Sequence, residues 1–435
     1  MHGNEISTFP ANQIPFANAG PDKIITLPLD SAVLDGRGSA DYDGKIVVYG
    51  WRKISGPLSY QIKKIDSSTT IITRLVTGIY QIELTVRDNG WLINKDTVQI
   101  TVNAIQPPVA CNMSLIPLGN LSIPRIQVAM GAAGNKILFA GGVAATFGAT
   151  PALSRVDIYD KVTNNWSIAE LSEARIQMAV ASTGNKIFFA GGIKNNGEFS
   201  SRVDIYDAAV NTWSIAELSV ARYMIAGASL GNKVFFAGGI AHNQVSDVVD
   251  IYDVPGKVWS TNFLSSPKAG LTATSLSNKI YFAGEGSNNV IVYNGSSGSW
   301  SSIKMLEDKT EVISISSGNV VMWAGGYADY GNGLEDSRKV EVYNVSDGSH
   351  TYHDFTNGGA VVYYQAATKN NKILFVMAAG MQNTLEMYDV TSHTWSVCTQ
   401  YLPEAKMFTS GNDIYMAGGV DANHSISSQV WVLDF

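Results

Sequence analysis

The chain has 435 residues, a formal net charge of −7 and only 15% charged side chains. Its length suits two domains. An acidic balance without a basic run excludes nucleic acid and anionic membrane surfaces as partners, and no stretch reaches the roughly 18 apolar residues of a helical membrane span.

Residues 1–14 read as a polar N-terminal stub without a signal-peptide pattern. Short strand-like runs follow from residue 15 to residue 103. Tyr80, Ile82, Leu84 and Val86 alternate with polar residues, the period of a half-buried strand. Trp51 sits mid-strand, where one large ring can anchor a sandwich core. Asp35, Asp41 and Asp43 offer oxygen ligands of the kind Ca²⁺ takes. No bidentate Glu stands at loop spacing, and Asp-x-Asp-Gly is ordinary turn chemistry, so the turn reading is taken.

The stretch carries Ala17–Asp22, Leu34–Ser39, Asp41–Gly44, Gly78–Asp88 and Asp96–Val102 around Tyr49-Gly50-Trp51-Arg52-Lys53-Ile54-Ser55-Gly56-Pro57. Together they resemble a PKD-type immunoglobulin-like domain of the Tyr-x-Trp-x-x-x-Ser-Gly-Pro variant. The resemblance implies a β-sandwich over residues 15–103, a spacer role, and a place outside the cell on a secreted or surface-anchored protein. Residues 104–110, with Pro107 and Pro108, read as an extended linker.

Beyond the linker a unit repeats at intervals of 41 to 50 residues. Phe139-Ala140-Gly141-Gly142 returns as Phe189-Ala190-Gly191-Gly192, Phe236-Ala237-Gly238-Gly239, Trp323-Ala324-Gly325-Gly326 and Met416-Ala417-Gly418-Gly419, with weaker copies at Phe282-Ala283-Gly284-Glu285 and Ala378-Ala379-Gly380. Such a period marks a solenoid, propeller or array. Each unit holds four short runs bounded by Gly, Asn and Asp turn signals, the pattern of four antiparallel strands. A Tyr precedes a Trp by seven residues in five copies, at Trp166, Trp213, Trp259, Trp300 and Trp395. These indoles are expected to be mostly buried between strands. In the fifth copy His350 stands where the Trp belongs.

The unit resembles the kelch repeat over residues 109–435, which implies blades of a β-propeller. The fold expected is therefore all-β: a seven-bladed kelch-type β-propeller over residues 111–435, preceded by the β-sandwich. The last copy lacks a fourth strand, and Met113–Leu118 is expected to supply it, closing the ring and removing an exposed sheet edge. Cys111 and Cys398 fall on or near outer strands of blades seven and six, and two free thiols are expected.

Two enzyme readings arise. A galactose-oxidase-like copper site needs paired His and Tyr, and only His242 and His424, of the six histidines, lie on second-to-third-strand loops, neither with a close His partner. His350, His353 and His393 fall around third-to-fourth-strand turns, and solvated loop histidines are the reading taken. A mutarotase-like site needs a polar axial pocket. Arg125, Arg175 and Arg222 begin successive inner strands, with Lys268, Lys309 and Lys406 at corresponding places, and could ring a channel mouth. Guanidinium forks suit carboxylates, but kelch repeats commonly hold Arg there against neighbouring backbone, which is the preferred reading. Long second-to-third-strand loops are better candidates, because binding residues concentrate on loops held by a rigid scaffold. Tyr327, Asp329, Tyr330 and Glu335 form the best cluster, with His242, Asn243 and His424 on other loops. No nucleophile–base set, phosphate loop or metal spacing is present, and no cofactor is expected. The function expected is non-enzymatic recognition of a glycan or protein, with a carbohydrate-active propeller enzyme as the alternative.

Overall fold

The computed structural model describes every residue except 1–11, 28–29, 105–112, 145–150, 285–287, 330–333, 356–362, 380–381, 399–401 and 422–424. The chain divides into two compact units, residues 1–106 and 107–435. Both are built from β-strands, and no helix occurs among the described residues.

The first unit is a sandwich. One sheet runs Lys23–Thr26, Ile93–Asn103, Gly78–Asp88, Ile46–Ser55, with the first of these parallel to its neighbour. The other holds Ala32–Asp35, Thr69–Thr73 and Gln61–Ile62. Tyr80, Ile82, Leu84 and Val86 are all fully buried, so the alternation in the sequence is the inward face of a strand. Trp51 is 3% exposed, and its indole N–H donates to the Ser67 carbonyl at 2.9 Å. Tyr80 donates its hydroxyl to the Ser59 carbonyl at 2.8 Å and accepts from the Val76 amide at 2.9 Å. A buried tyrosine thus satisfies two backbone groups at a bend.

The second unit is a β-propeller of seven four-stranded sheets. Blade two is representative, with Ala179–Thr183 innermost, then Lys186–Ala190, Arg202–Asp207 and Thr212–Glu217 at the rim. The seven innermost strands touch in a closed ring, the last (Glu404–Ser410) meeting the first (Ala129–Ala133). Blade seven draws its rim strand from the other end of the unit. Ser114–Asn120 pairs antiparallel with Gln429–Asp434, from Ser114 opposite Asp434 to Asn120 opposite Gln429. Every sheet edge at the junction is thereby paired.

The paired glycines are demanded by geometry. In blade two Gly191 and Gly192 have φ of 63° and 103°, and a Cβ on Gly192 would stand 2.4 Å from the Ile176 carbonyl oxygen. Only glycine accepts both the backbone conformation and the approach of the chain entering the inner strand. The motif indoles are half-buried rather than mostly buried, because the fourth strand is the rim and the ring covers only one side of the sheet. Trp213 stacks on Tyr206 and Phe189 at centroid distances of 5.1 and 6.3 Å. His350 fills the vacant indole position of blade five, 4.8 Å from Tyr343.

The repeated arginines belong to the fold. Arg125, Arg175 and Arg222 are fully buried and pair with Asp157, Asp204 and Asp250. Arg175 donates to the carbonyls of Gly191 at 2.8 Å and Arg202 at 2.6 Å, while Asp204 accepts the Ser172 amide at 2.9 Å. One ion pair therefore ties the incoming connection, the end of the second strand and the start of the third. Burial lowers the pKa of all three guanidiniums and the facing carboxylates oppose it. Their reading as cations around a channel mouth is corrected: their forks are spent on the blade.

Cys398 is disulfide-bonded and no described cysteine is free, which corrects the expectation of free thiols. The reason is the closure. Cys398 ends the rim strand of blade six and shares a core cluster with Met113, next to the closing strand, so positions far apart in sequence meet there. Cys111 lies outside the described residues.

Removing residues 1–106 is expected to leave the melting temperature of the propeller unit unchanged, while removing 1–120 lowers it; equal melting in calorimetry would reject closure by the N-terminal strand. Cys398→Ser should cost about 2–4 kcal/mol in denaturant unfolding under oxidising conditions, and an unaltered midpoint speaks against a stabilising bridge. Arg175→Leu leaves Asp204 buried without its cation and should cost about 3–5 kcal/mol; a loss below about 1 kcal/mol, the scale of an exposed pair, would show it to be dispensable.

Candidate functional site

Each inner strand begins on the face where the paired glycines end the second strand, so the second-to-third-strand loops surround that end of the channel. In blade five this loop is a hairpin: Tyr327–Asp329 pairs with Leu334–Asp336, with Tyr327 opposite Asp336 and Ala328 opposite Glu335. Tyr327 also exchanges backbone hydrogen bonds with Thr310, at 2.9 and 3.0 Å, which fastens the hairpin to the entry of the same blade's inner strand. Asp329 and Glu335 are placed by the strand register, and Tyr330 lies outside the described residues, as does His424.

His242 and Asn243 are the two central residues of a hairpin between Ile240–Ala241 and Gln244–Val245. Their φ values of 48° and 60° are those of a turn that suits twisted strands, and both side chains are exposed. In blade two Asn195 reaches back to blade one, hydrogen-bonding Ala152 through both its amide oxygen and its amide nitrogen. Phe199 stacks on Tyr223 of the next blade's entry at 4.6 Å. These loops therefore clasp neighbouring blades as well as present side chains.

The other predicted groups fall elsewhere. Lys268 and Lys309 occupy the arginine position of blades four and five; Lys309 donates to the Lys339 carbonyl at 2.6 Å and pairs with Glu307 at 3.3 Å. Lys406 does not share that position, because it lies within the inner strand of blade seven, opposite Ala417. Its side chain is open to solvent, yet the protein around it pushes its ammonium pKa down, and no ion pair to it occurs among the described residues.

The histidines of blades five and six are not solvated loop residues. His350 bonds Glu341 at 2.5 Å, and His353 is 4% exposed, bonds Glu386 at 2.6 Å and lies flat on Trp395 at 3.7 Å. Glu341 and Glu386 stand where blades one to three carry Asp157, Asp204 and Asp250, as the register opposite the second strand shows. Periodic comparison of third strands could have found this substitution of partners.

In the first unit Asp35 pairs with Arg37 at 2.6 Å, so Asp35, Asp41 and Asp43 are not gathered. Desolvation, then the neighbouring Asp43, raises the Asp41 pKa. Among the described residues no group of three or more His, Cys, Asp and Glu is placed to hold a metal ion.

Along the half of the channel away from the paired glycines lies a cavity of about 570 Å³. Its wall is mostly small residues of five inner strands, among them Ala181, Ser182, Gly227, Ser229, Ala273 and Thr274. Several hydroxyls tie blade to blade: Thr274 meets Ser316 at 2.7 Å and Ser275 donates to the Ser229 carbonyl at 2.7 Å. This end of the channel is built for close approach of strands, and the loops stand at the other end.

A PKD-domain family named for the KIAA0319-like protein matches residues 19–102, and the Kelch motif matches residues 174–217. A dyslexia-associated protein KIAA0319 homolog of Mus musculus is 43% identical over 91 residues, which is 21% of this chain and 8% of that protein. Low-density lipoprotein receptor-related protein 11 of Homo sapiens is 40% identical over 88 residues, 20% of this chain and 17% of that protein. The chain thus spans less than a fifth of the length of either relative. The solved PKD domain from KIAA 1837 protein is 39% identical, covering 24% of this chain and 99% of that domain, with a TM-score of 0.21. Residues 19–102 are a PKD domain of the KIAA0319-like type, and the propeller that follows carries a Kelch motif at residues 174–217.

Proposed function

We propose that the chain is a non-enzymatic recognition protein of the cell surface or extracellular space, whose propeller binds a glycan or a protein through its loop-bearing face while the PKD domain serves as a spacer. The observation that carries this reading is the division of labour along the channel. One end is walled by small residues whose hydroxyls join the blades, and the other is rimmed by loops and hairpins that are themselves braced against the scaffold. Rigid presentation of varied side chains is what a binding face requires. The extracellular placement draws on the disulfide at Cys398, since disulfides persist in oxidising compartments, and on the PKD domain, which is shared with a protein named as receptor-related.

The blade-five hairpin is the first loop to test. A screen of the full chain against immobilised glycans and surface-protein ectodomains should yield a binder. Changing Tyr327, Asp329 and Tyr330 together to Ala should weaken it at least tenfold, or about 1.4 kcal/mol. Unchanged affinity in a folded variant removes this hairpin from the face. Following the anomers of reducing sugars by NMR in the presence of the chain should show no acceleration; turnover would replace the reading with a carbohydrate-active enzyme.

A further inference from the structure

One backbone feature recurs where the chain enters each inner strand. Gln127, Gln177, Met224, Gly270 and Glu311 have φ of 57°, 54°, 53°, 58° and 54°. Each follows the buried cation of its blade by two residues, after Arg125, Arg175, Arg222, Lys268 and Lys309. The residue between them is held by bridges in three of these blades, Ile126 to Val143, Tyr223 to Ile240 and Thr310 to Tyr327. The chain must then kink down into the inner strand, and the left-handed conformation makes that kink.

Glycine adopts this conformation freely, whereas other L-residues are strained in it. Blade four uses Gly270, so the fold is satisfied by glycine. Four other blades keep a side chain at this position, and none is Asn or Asp, the types that tolerate positive φ. The first-to-second and third-to-fourth-strand turns behave differently: there Asn164, Asn211, Asn278, Asn370 and Asn371 take the left-handed positions. Backbone strain that persists where a cheaper residue would serve points to a use for the side chain. All four side chains are exposed. The inner strands that follow ring the axis, so these residues stand around the mouth of the channel on the loop face.

We infer that this mouth is a ligand site, in which Gln127, Gln177 and Glu311 hydrogen-bond the hydroxyls of a terminal sugar residue and Met224 covers its apolar face. The inference rests on the recognition reading above and narrows it to a hydroxyl-rich ligand. Carboxamides both donate and accept and a carboxylate accepts, which matches vicinal hydroxyls that do both. Glu311 directly follows Thr310, which is bound to Tyr327, so the mouth and the blade-five hairpin adjoin. Lys406, on the inner strand of blade seven and open to solvent, adds a donor within the channel.

The test replaces the side chains without disturbing the kink. Gln127→Gly with Gln177→Gly, and separately Glu311→Gly, are made in the full chain. Wild type and variants are compared on an array of immobilised glycans and by saturation-transfer NMR with the methyl glycosides of glucose, galactose and N-acetylglucosamine. Relief of strain should raise the melting temperature by about 2 °C per site, while binding falls at least tenfold. A drop in melting temperature would mean that these side chains hold the fold, and would end the strain argument. Retained binding in a folded variant would move the glycan to another loop and leave the recognition reading standing. A wild type that binds no glycan and no glycoside would overturn the inference together with the glycan branch of that reading, leaving the protein branch.

Discussion

The buried Arg–Asp pair is the interaction on which each regular blade depends. It places a permanent cation against a carboxylate with almost no solvent access, and both members also hold backbone groups of other strands. Removing two charges from water is expensive, and their mutual attraction compensates only when geometry and extra hydrogen bonds are good. The blade meets that condition by presenting carbonyls at the end of the second strand and the start of the third. The pair therefore acts as a register pin: a strand slipped by one residue would turn the aspartate to the other face.

The pin changes around the ring. Blades one to three use Arg with Asp. Blade four keeps Lys268 but sets Ile291 at the carboxylate position, as the pairing of Phe282 with Ile291 shows. Blades five and six carry Glu341 and Glu386 with histidine partners, and blade seven carries Trp431 at the corresponding place. The same architecture is thus held by ion pairing on one side and by hydrogen-bonded imidazole or apolar packing on the other. Departures from the repeat in the sequence, such as His350 in place of an indole, mark where the local chemistry of cohesion has been exchanged and the fold kept.

The overall plan was legible because it is written in residues with few alternatives. Paired glycines are demanded by positive φ and by a carbonyl 2.4 Å from the missing Cβ, and the alternation around Tyr80 follows from a sheet with one dry face. The disulfide was not legible, since Cys398 and the segment beside Met113 are brought together only by ring closure. The half-burial of Trp213 was missed because a fixed offset from Tyr206 reports a shared face but not how near the rim that face lies. The kinked residues at the channel mouth carry no signal of their own: Gln and Met are not left-handed types. Only alignment with Gly270 could have drawn attention to Gln127, Gln177 and Met224.

The closing strand has a mechanical consequence. Ser114–Asn120 is the first strand after the linker, and its pairing partner is the final strand of the chain. Tension transmitted along residues 107–113 would bear first on the Ser114–Asp434 end of an antiparallel rim strand. Load at that end opens backbone pairs one after another, a softer response than shearing all of them at once. Blade seven is thus the part of the ring that a pull on the spacer would reach first, and the disulfide at Cys398 lies beside it.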